Sequence, residues 1–249
     1  MKSPVALLSA IALLTMLPAS AQAALVNEGN GLIYDTVTNV TWTQDANLFG
    51  TMLASNSKLV NDIIAADPVI YDTPNAYDNP TGSGTYQVSQ VDFYPLGSGG
   101  MTWYGAQAFV GYLNHIAYKG HKTWALPSAD TSCAFYAACS TGQLGELFWG
   151  EIPPALTTSY MNGSFGPFTD VEKTNVYWTG TQYQPNPSYA WKFSSYDGSE
   201  GAYEHNVFGN AWVMLAGNVA AVPEPAEYAM LLAGICLVGL VSRKKSNNS

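Results

Sequence analysis

The sequence predicts a single α+β domain between two apolar terminal segments. Apolar residues recur at helical spacing from Thr102 to Tyr118, whereas beyond Asn162 β-branched and aromatic residues form short runs separated by turns. About 198 residues lie between the terminal segments, which is enough for one domain with a sizeable core. We therefore assign residues 1–23 to a signal peptide, 24–221 to the domain and 222–249 to a separate C-terminal segment.

The amino terminus has the three parts of a secretory signal peptide. Lys2 supplies a basic start, Val5 to Leu17 is apolar, and Ala21 to Ala23 is a small-x-small site. This order predicts cleavage between Ala23 and Ala24 and export of the rest of the chain.

The first third of the domain predicts a β-hairpin and then a long surface loop. Residues from Gly31 to Trp42 are β-branched and aromatic around a polar turn at Asp35 to Asn39. Residues 43–47 are a polar exit from the hairpin. From Asn56 to Gly100 the chain is rich in Gly, Pro, Asp and Ser, with helical periodicity only at Leu59 to Ala65.

The remainder predicts two helices followed by strands. The helix from Thr102 to Tyr118 has an apolar stripe and ends at Gly120, and a shorter helix is expected at Gly142 to Trp149. Strands are expected at residues 176–183, 189–193 and 211–216, with turns at 185–187 and 197–198.

Charge narrows the choice of partners. The domain has five lysines, no arginine and sixteen acidic residues, which is a net charge of about −11. Such a surface repels nucleic acid and sulfated glycans, because anionic polymers are bound through Lys and Arg. Neutral sugars, cations and cationic partners are compatible with it.

The cysteines suit an exported protein. Cys133 and Cys139 lie close together in a polar segment, and we expect a disulfide because exported domains meet oxidising conditions. A zinc site there is disfavoured, since no second Cys pair or His cluster is near in sequence.

The C-terminal segment predicts a membrane helix. Residues 226–242 are almost entirely apolar and would span roughly 26 Å as a helix, which is a thin but possible crossing. Arg243, Lys244 and Lys245 follow where a cytoplasmic stop is expected, although a buried C-terminal helix is the alternative. Together with Val222 and the motif Pro223-Glu224-Pro225 before it, this order resembles the PEP-CTERM sorting signal. The resemblance implies an exosortase as partner and transient anchoring in the inner membrane of a Gram-negative bacterium.

A series of short motifs gives the domain a family resemblance. In chain order they are Leu32 to Asn47, Met101 to Trp103, Trp124 to Ser128, Gly145 to Trp149, Tyr177 to Tyr183, Ala190-Trp191 and Ala211-Trp212. The series resembles the DUF1566 family, also called the C-terminal domain of the Legionella collagen-like adhesin. The resemblance implies a fold similar to C-type lectins and to formylglycine-generating enzymes.

Two departures from the family pattern bear on ligand choice. Ala125 stands where the family usually has arginine, and Val213-Met214 replaces a usual Val-Arg-Pro. The missing arginines remove groups that could contact an acidic ligand, so the adhesin's binding to sulfated glycans does not transfer.

Aromatic residues suggest candidate ligand contacts. Trp42, Trp103, Trp124, Trp178 and Trp212 coincide with the family's framework and are expected in the core. Tyrosines near loops are the better surface candidates, because their rings stack on sugar C–H groups and their hydroxyls stay polar. They are Tyr183, Tyr189, Tyr196 and Tyr203.

Metal binding and catalysis are weaker hypotheses. Asp197, Glu200 and Glu204 lie within eight residues and are weak calcium candidates, with a solvated acidic loop as the alternative. No catalytic triad can be placed from the sequence, and we expect a non-enzymatic domain without an obligatory cofactor. The alternative is a secreted enzyme, such as a formylglycine-generating-type oxidase using Cys133 and Cys139, or one using the acidic loop.

The combined expectation is an exosortase-sorted protein of the cell surface or extracellular matrix. It would bind a neutral glycan or a protein and be associated with exopolysaccharide and biofilm.

Overall fold

The structure is a computed structural model that describes residues 25–94, 99–133, 138–152, 165–172 and 176–219. The cleavage site at Ala23 and Ala24, the 222–225 motif and the apolar segment 226–242 lie outside these residues. Among the residues described, no helix is both long and apolar enough to cross a membrane.

An antiparallel sheet joins the two ends of the domain. It contains β1 (Leu25–Gly29), β2 (Leu32–Asp35), β3 (Val40–Thr43) and β9 (Met214–Ala216), in the order β1-β2-β3-β9. The β2-β3 hairpin confirms the sequence prediction, and Asp35 holds its turn by accepting hydrogen bonds from the backbone N–H groups of Val37 and Thr38 at 2.9 Å each. Strand β9 is shorter than predicted, because residues 211–213 precede it as buried, irregular chain.

The segment 56–100, predicted as a long surface loop apart from a helical stretch at Leu59 to Ala65, contains more regular structure than predicted, and the helical stretch is confirmed. After α1 (Leu48–Ser55) and α2 (Leu59–Ala66), strands β4 (Val69–Tyr71) and β5 (Thr85–Gln87) pair antiparallel, and a 3-10 turn follows at Gln90–Asp92. Leu59, Ile63 and Phe93 are buried in the core. The segment therefore adds apolar surface to the core despite its polar composition.

The central helix α3 (Trp103–His115) confirms the clearest sequence prediction. Thr102 caps it, since the Thr102 Oγ1 accepts a hydrogen bond from the Gly105 N–H at 3.1 Å. The helix ends earlier than predicted because Ala117 adopts a left-handed conformation, with φ of 51°, before a 3-10 turn at Tyr118–Gly120.

The predicted second helix and later strands are also present. Helix α4 (Gln143–Glu146) continues into a π-helical turn at Leu147–Glu151. Strands β6 (Val176–Gln182), β7 (Tyr189–Ser194) and β8 (Glu200–Glu204) form an antiparallel sheet, of which β8 was not predicted.

The core and the crosslink agree with the sequence analysis. The five framework tryptophans are at most 3% exposed, which confirms them as core residues. Cys133 and Cys139 form the predicted disulfide, with their Cα atoms 6.1 Å apart.

Candidate functional site

An open groove of about 690 Å³ lies between α3, β4 and the end of β6. We call it the α3 groove. Side chains of α3 line it along one face, and the other walls come from the C-terminal end of α2, from β4 with Asp72, and from residues 180–184. A groove of this size and polarity suits a small polar ligand or part of a chain-like one.

The face of α3 that lines the groove follows from helical spacing. Trp103, Gln107, Gly111 and Asn114 lie three or four residues apart and so share one face. The opposite face, with Ala106, Phe109 and Leu113 among its members, is fully buried in the core. The helix thus connects the groove directly to the hydrophobic core.

The hydrogen-bonding capacity of the groove is only partly used by the protein. Asn114 is committed, because its side chain accepts from the Trp124 N–H at 2.7 Å and donates to the Trp124 carbonyl at 3.0 Å. The side chains of Gln107 and Gln184 make no hydrogen bond within the described residues, and the Tyr71 ring at the rim is 78% exposed. Free amides and an exposed aromatic ring are the groups that sugars commonly use.

Asp67 lies at one wall of the groove, immediately after α2. Its carboxylate packs against the backbone of Gly111, so that a Cβ at position 111 would overlap Asp67 Oδ2 and lie 2.7 Å from Cγ. This side chain accepts no hydrogen bond within the described residues, and partial burial raises its pKa.

Asp72 lies deeper, at the end of β4, where its side chain is only 2% exposed. Asp72 Oδ2 accepts hydrogen bonds from Asn75 Nδ2 at 2.9 Å and from Gln182 Nε2 at 3.2 Å, whereas Oδ1 has no hydrogen-bond partner in the described part of the chain. Burial, and the nearby charge of Asp78, raise the pKa of this carboxyl to about 6. An acidic group therefore lies just beneath the groove surface without a cationic partner.

A buried histidine supports the groove from below. The His205 ring stacks on Trp103 with centroids 4.3 Å apart, and its Nδ1 lies 3.0 Å from the Tyr104 hydroxyl. Burial lowers the pKa of His205 to about 4, so the ring is neutral near pH 7 despite Asp72 Oδ2 at 3.9 Å. Its Nε2 has no hydrogen-bond partner. The only charged side chains that line the groove in the described residues are Asp67 and Asp72.

The four tyrosines proposed from the sequence lie around the β6-β7-β8 sheet and not in the groove lining. Tyr183 lies between the lining residues Gln182 and Gln184, with its ring edge-on to Trp191 at 5.9 Å. The Tyr189 hydroxyl donates to Glu204 at 3.0 Å. The Tyr203 ring is 4.9 Å from Lys192 Nζ, and Tyr196 is 48% exposed.

The three calcium candidates point to different surroundings. Glu204 accepts hydrogen bonds from the hydroxyls of Tyr77 and Tyr189, and Asp197 accepts from the Ser199 side chain at 2.7 Å. Glu200 is fully buried without a hydrogen-bond partner, and burial raises its pKa to about 7. Over the part of the chain that the structure describes, no group of three His, Cys, Asp or Glu residues could hold a metal ion.

Sequence reasoning missed the groove residues Asp67, Tyr71, Asp72 and Gln107. One signal was present, because a glycine in the middle of a good helix usually has a packing reason, and Gly111 has one in Asp67.

Comparison with known proteins gives one match. The family model described as the Lcl C-terminal domain matches residues 31–214. No curated protein and no solved structure matches the chain significantly.

Proposed function

The chain belongs to the Lcl C-terminal domain family, whose model covers most of its length, and we propose that it is an exported surface domain of the adhesin type that binds a neutral or amino glycan in the α3 groove. The observation on which this rests is the groove lining: unpaired amides, an exposed tyrosine ring and no cation among the described residues.

The chemistry of the lining suits sugar hydroxyls. Gln107 and Gln184 can each donate and accept, and Thr131 and Thr181 add hydroxyls at the opposite wall. The exposed face of Tyr71 offers a stacking surface at the rim. Sulfated or phosphorylated chains fit poorly, because Asp67 and Asp72 would repel them.

We also propose the finer fold assignment, a similarity to C-type lectins and formylglycine-generating enzymes. The family resemblance and the mixed α and antiparallel β composition support it. In this proposal the domain is not an enzyme. Both sulfurs of Cys133 and Cys139 are engaged with each other, which argues against the oxidase alternative that would use them as free thiols.

The localisation is a proposal that rests on the two terminal segments. We infer export by the signal peptide, processing by an exosortase at Pro223-Glu224-Pro225, and a final place at the surface or in the exopolysaccharide matrix of a Gram-negative biofilm. Replacing these three residues by alanines should leave an unprocessed form in the inner membrane, detected by fractionation. Normal processing of the variant would refute the sorting proposal.

Glycan binding is tested with the purified full chain on an array of neutral, amino and sulfated glycans, with and without calcium. The matched variant is Gln107→Trp, which fills the groove from the lining face of α3 without breaking a hydrogen bond to a described residue. We expect a neutral or amino glycan to bind the wild type and to lose at least about tenfold in affinity for the variant. Binding that is equal in both proteins would exclude the groove, and a requirement for calcium would revive the metal hypothesis.

A further inference from the structure

The acidic side of the α3 groove has a property that a neutral sugar does not explain. Asp67 accepts no hydrogen bond from the described residues, and Asp72, with a side chain 2% exposed, has an Oδ1 atom without any partner. A buried acceptor is normally satisfied, because leaving it unmade costs free energy. Among the described residues Asp72 Oδ1 is therefore a buried acceptor without a donor, whereas the half-buried Asp67 carboxylate is free to bind a group that enters the groove.

The ligand group that donates to these carboxylates should carry a positive charge. No lysine, arginine or histidine among the described residues lines the groove, and burial raises the pKa of both carboxyl groups, as expected for acids without a cationic neighbour. His205, beneath the groove, is neutral near pH 7 and does not compensate them. A ligand ammonium beside Asp67 would gain a charge-assisted hydrogen bond and also the field of Asp72 behind it.

Building on the proposed glycan site, we propose that the α3 groove recognises a hexosamine unit whose amine is free and protonated, with Asp67 as its direct partner. Asp67 is the more accessible of the two carboxylates, since it is only partly buried against Gly111. The amides of Gln107 and Gln184 then serve the hydroxyls of the same sugar. A lysine side chain has the ammonium but no neighbouring hydroxyls, whereas an amino sugar presents both on one ring.

The experiment compares four probes on the purified full chain at about pH 6.5. They are a hexosamine oligomer with free amines, the same oligomer fully N-acetylated, a glucose oligomer of equal length and a short lysine peptide. We expect the free-amine oligomer to bind about tenfold more tightly than its N-acetylated form. Asp67→Asn should abolish that preference, whereas Asp62→Asn, which removes an equal charge from the exposed face of α2, should retain it.

A second pair of variants keeps the test valid if Asp67→Asn does not fold. Gln107→Arg places a cation in the groove and should abolish the preference for the free amine, and Gln107→Glu at the same position should retain or increase it. Circular dichroism checks that each variant is folded.

The possible failures are distinguishable. If glucose and N-acetylated oligomers bind in a Gln107-dependent manner as tightly as the free-amine oligomer, the amine inference is wrong and the glycan site stands. If no oligomer binds, both proposals fail. If the lysine peptide binds as tightly as the amino sugar, or if Asp62→Asn loses as much affinity as Asp67→Asn, general charge attraction or a basic protein ligand explains the result and the inference is overturned.

Discussion

Replacing Gly111 by alanine tests the packing that defines the groove wall. Gly111 lies within α3, where alanine is favoured over glycine by about 1 kcal/mol because glycine loses more backbone entropy. The new Cβ would, however, overlap the Asp67 carboxylate. The side chain of Asp67 must therefore rotate away, which reduces the gain in stability and moves the acid from the groove wall.

A double-mutant cycle isolates this contact. In an Asp67→Ala background the new Cβ meets no carboxylate and only the Cβ of residue 67 at 3.0 Å, so Gly111→Ala should raise the free energy of unfolding by up to about 1 kcal/mol, or roughly 2–4 °C in Tm for a domain of this size. In the wild-type background we expect Gly111→Ala to raise the free energy of unfolding by clearly less than this. Urea and thermal unfolding of the four proteins give the coupling free energy.

The same cycle has a binding readout. Gly111→Ala alone should weaken binding of the free-amine hexosamine oligomer, because Asp67 is displaced although its charge is kept. An equal gain in stability in both backgrounds, with unchanged binding, would refute the placement of Asp67 against Gly111.

Two further predictions concern stability. Replacing Cys133 and Cys139 by serine should lower the free energy of unfolding by about 2 kcal/mol, as expected for a short closed loop, measured by urea unfolding; no change would mean that the crosslink does not constrain the unfolded chain. Lys192 is 2% exposed, donates to the Phe208 carbonyl at 2.8 Å and lies over the Trp178 ring at 4.0 Å, and burial lowers its pKa to about 7. The pKa of lysine in the unfolded chain is about 10.4, so the contribution of Lys192 to the free energy of unfolding should rise as pH increases from about 7 to about 10. Between pH 7 and pH 9 the free energy of unfolding of the wild type should therefore increase by about 2 kcal/mol relative to that of Lys192→Met. If the difference in free energy of unfolding between wild type and Lys192→Met did not depend on pH, the Trp178 and Tyr203 rings would be keeping the Lys192 amine charged.

Local patterns predicted much of the fold. The apolar stripe identified α3, and the polar turn at Asp35 to Asn39 identified the first hairpin, because each depends on residues close in sequence. Strand β8 was missed because its Glu and Gly residues suggest a loop, yet it is held by pairing with β7. Within the 56–100 segment the helical stretch of α2 was predicted, whereas β4 was missed because it is stabilised by pairing with β5 and by packing against α3.

The groove was beyond local reasoning because distant residues meet there. Asp67 meets Gly111 across 44 positions, and Trp103 stacks on His205 across 102. The composition of the domain predicted an acidic surface without arginine, but it could not show where the acidic residues meet. The proposed tyrosines followed from exposure near loops, whereas the groove is lined from a helix face, which a loop-based search does not consider.

The most direct test of the account is a titration of indole N–H signals by nuclear magnetic resonance. Trp103 lines the groove, whereas Trp42 and Trp212 are buried at the β1-β2-β3-β9 sheet and serve as internal controls. Addition of glucose and free-amine hexosamine oligomers should shift the Trp103 signal, more strongly with the amine, and leave both controls unchanged. A binding oligomer that shifts other indoles and leaves Trp103 unmoved would contradict the α3 groove as the combining site.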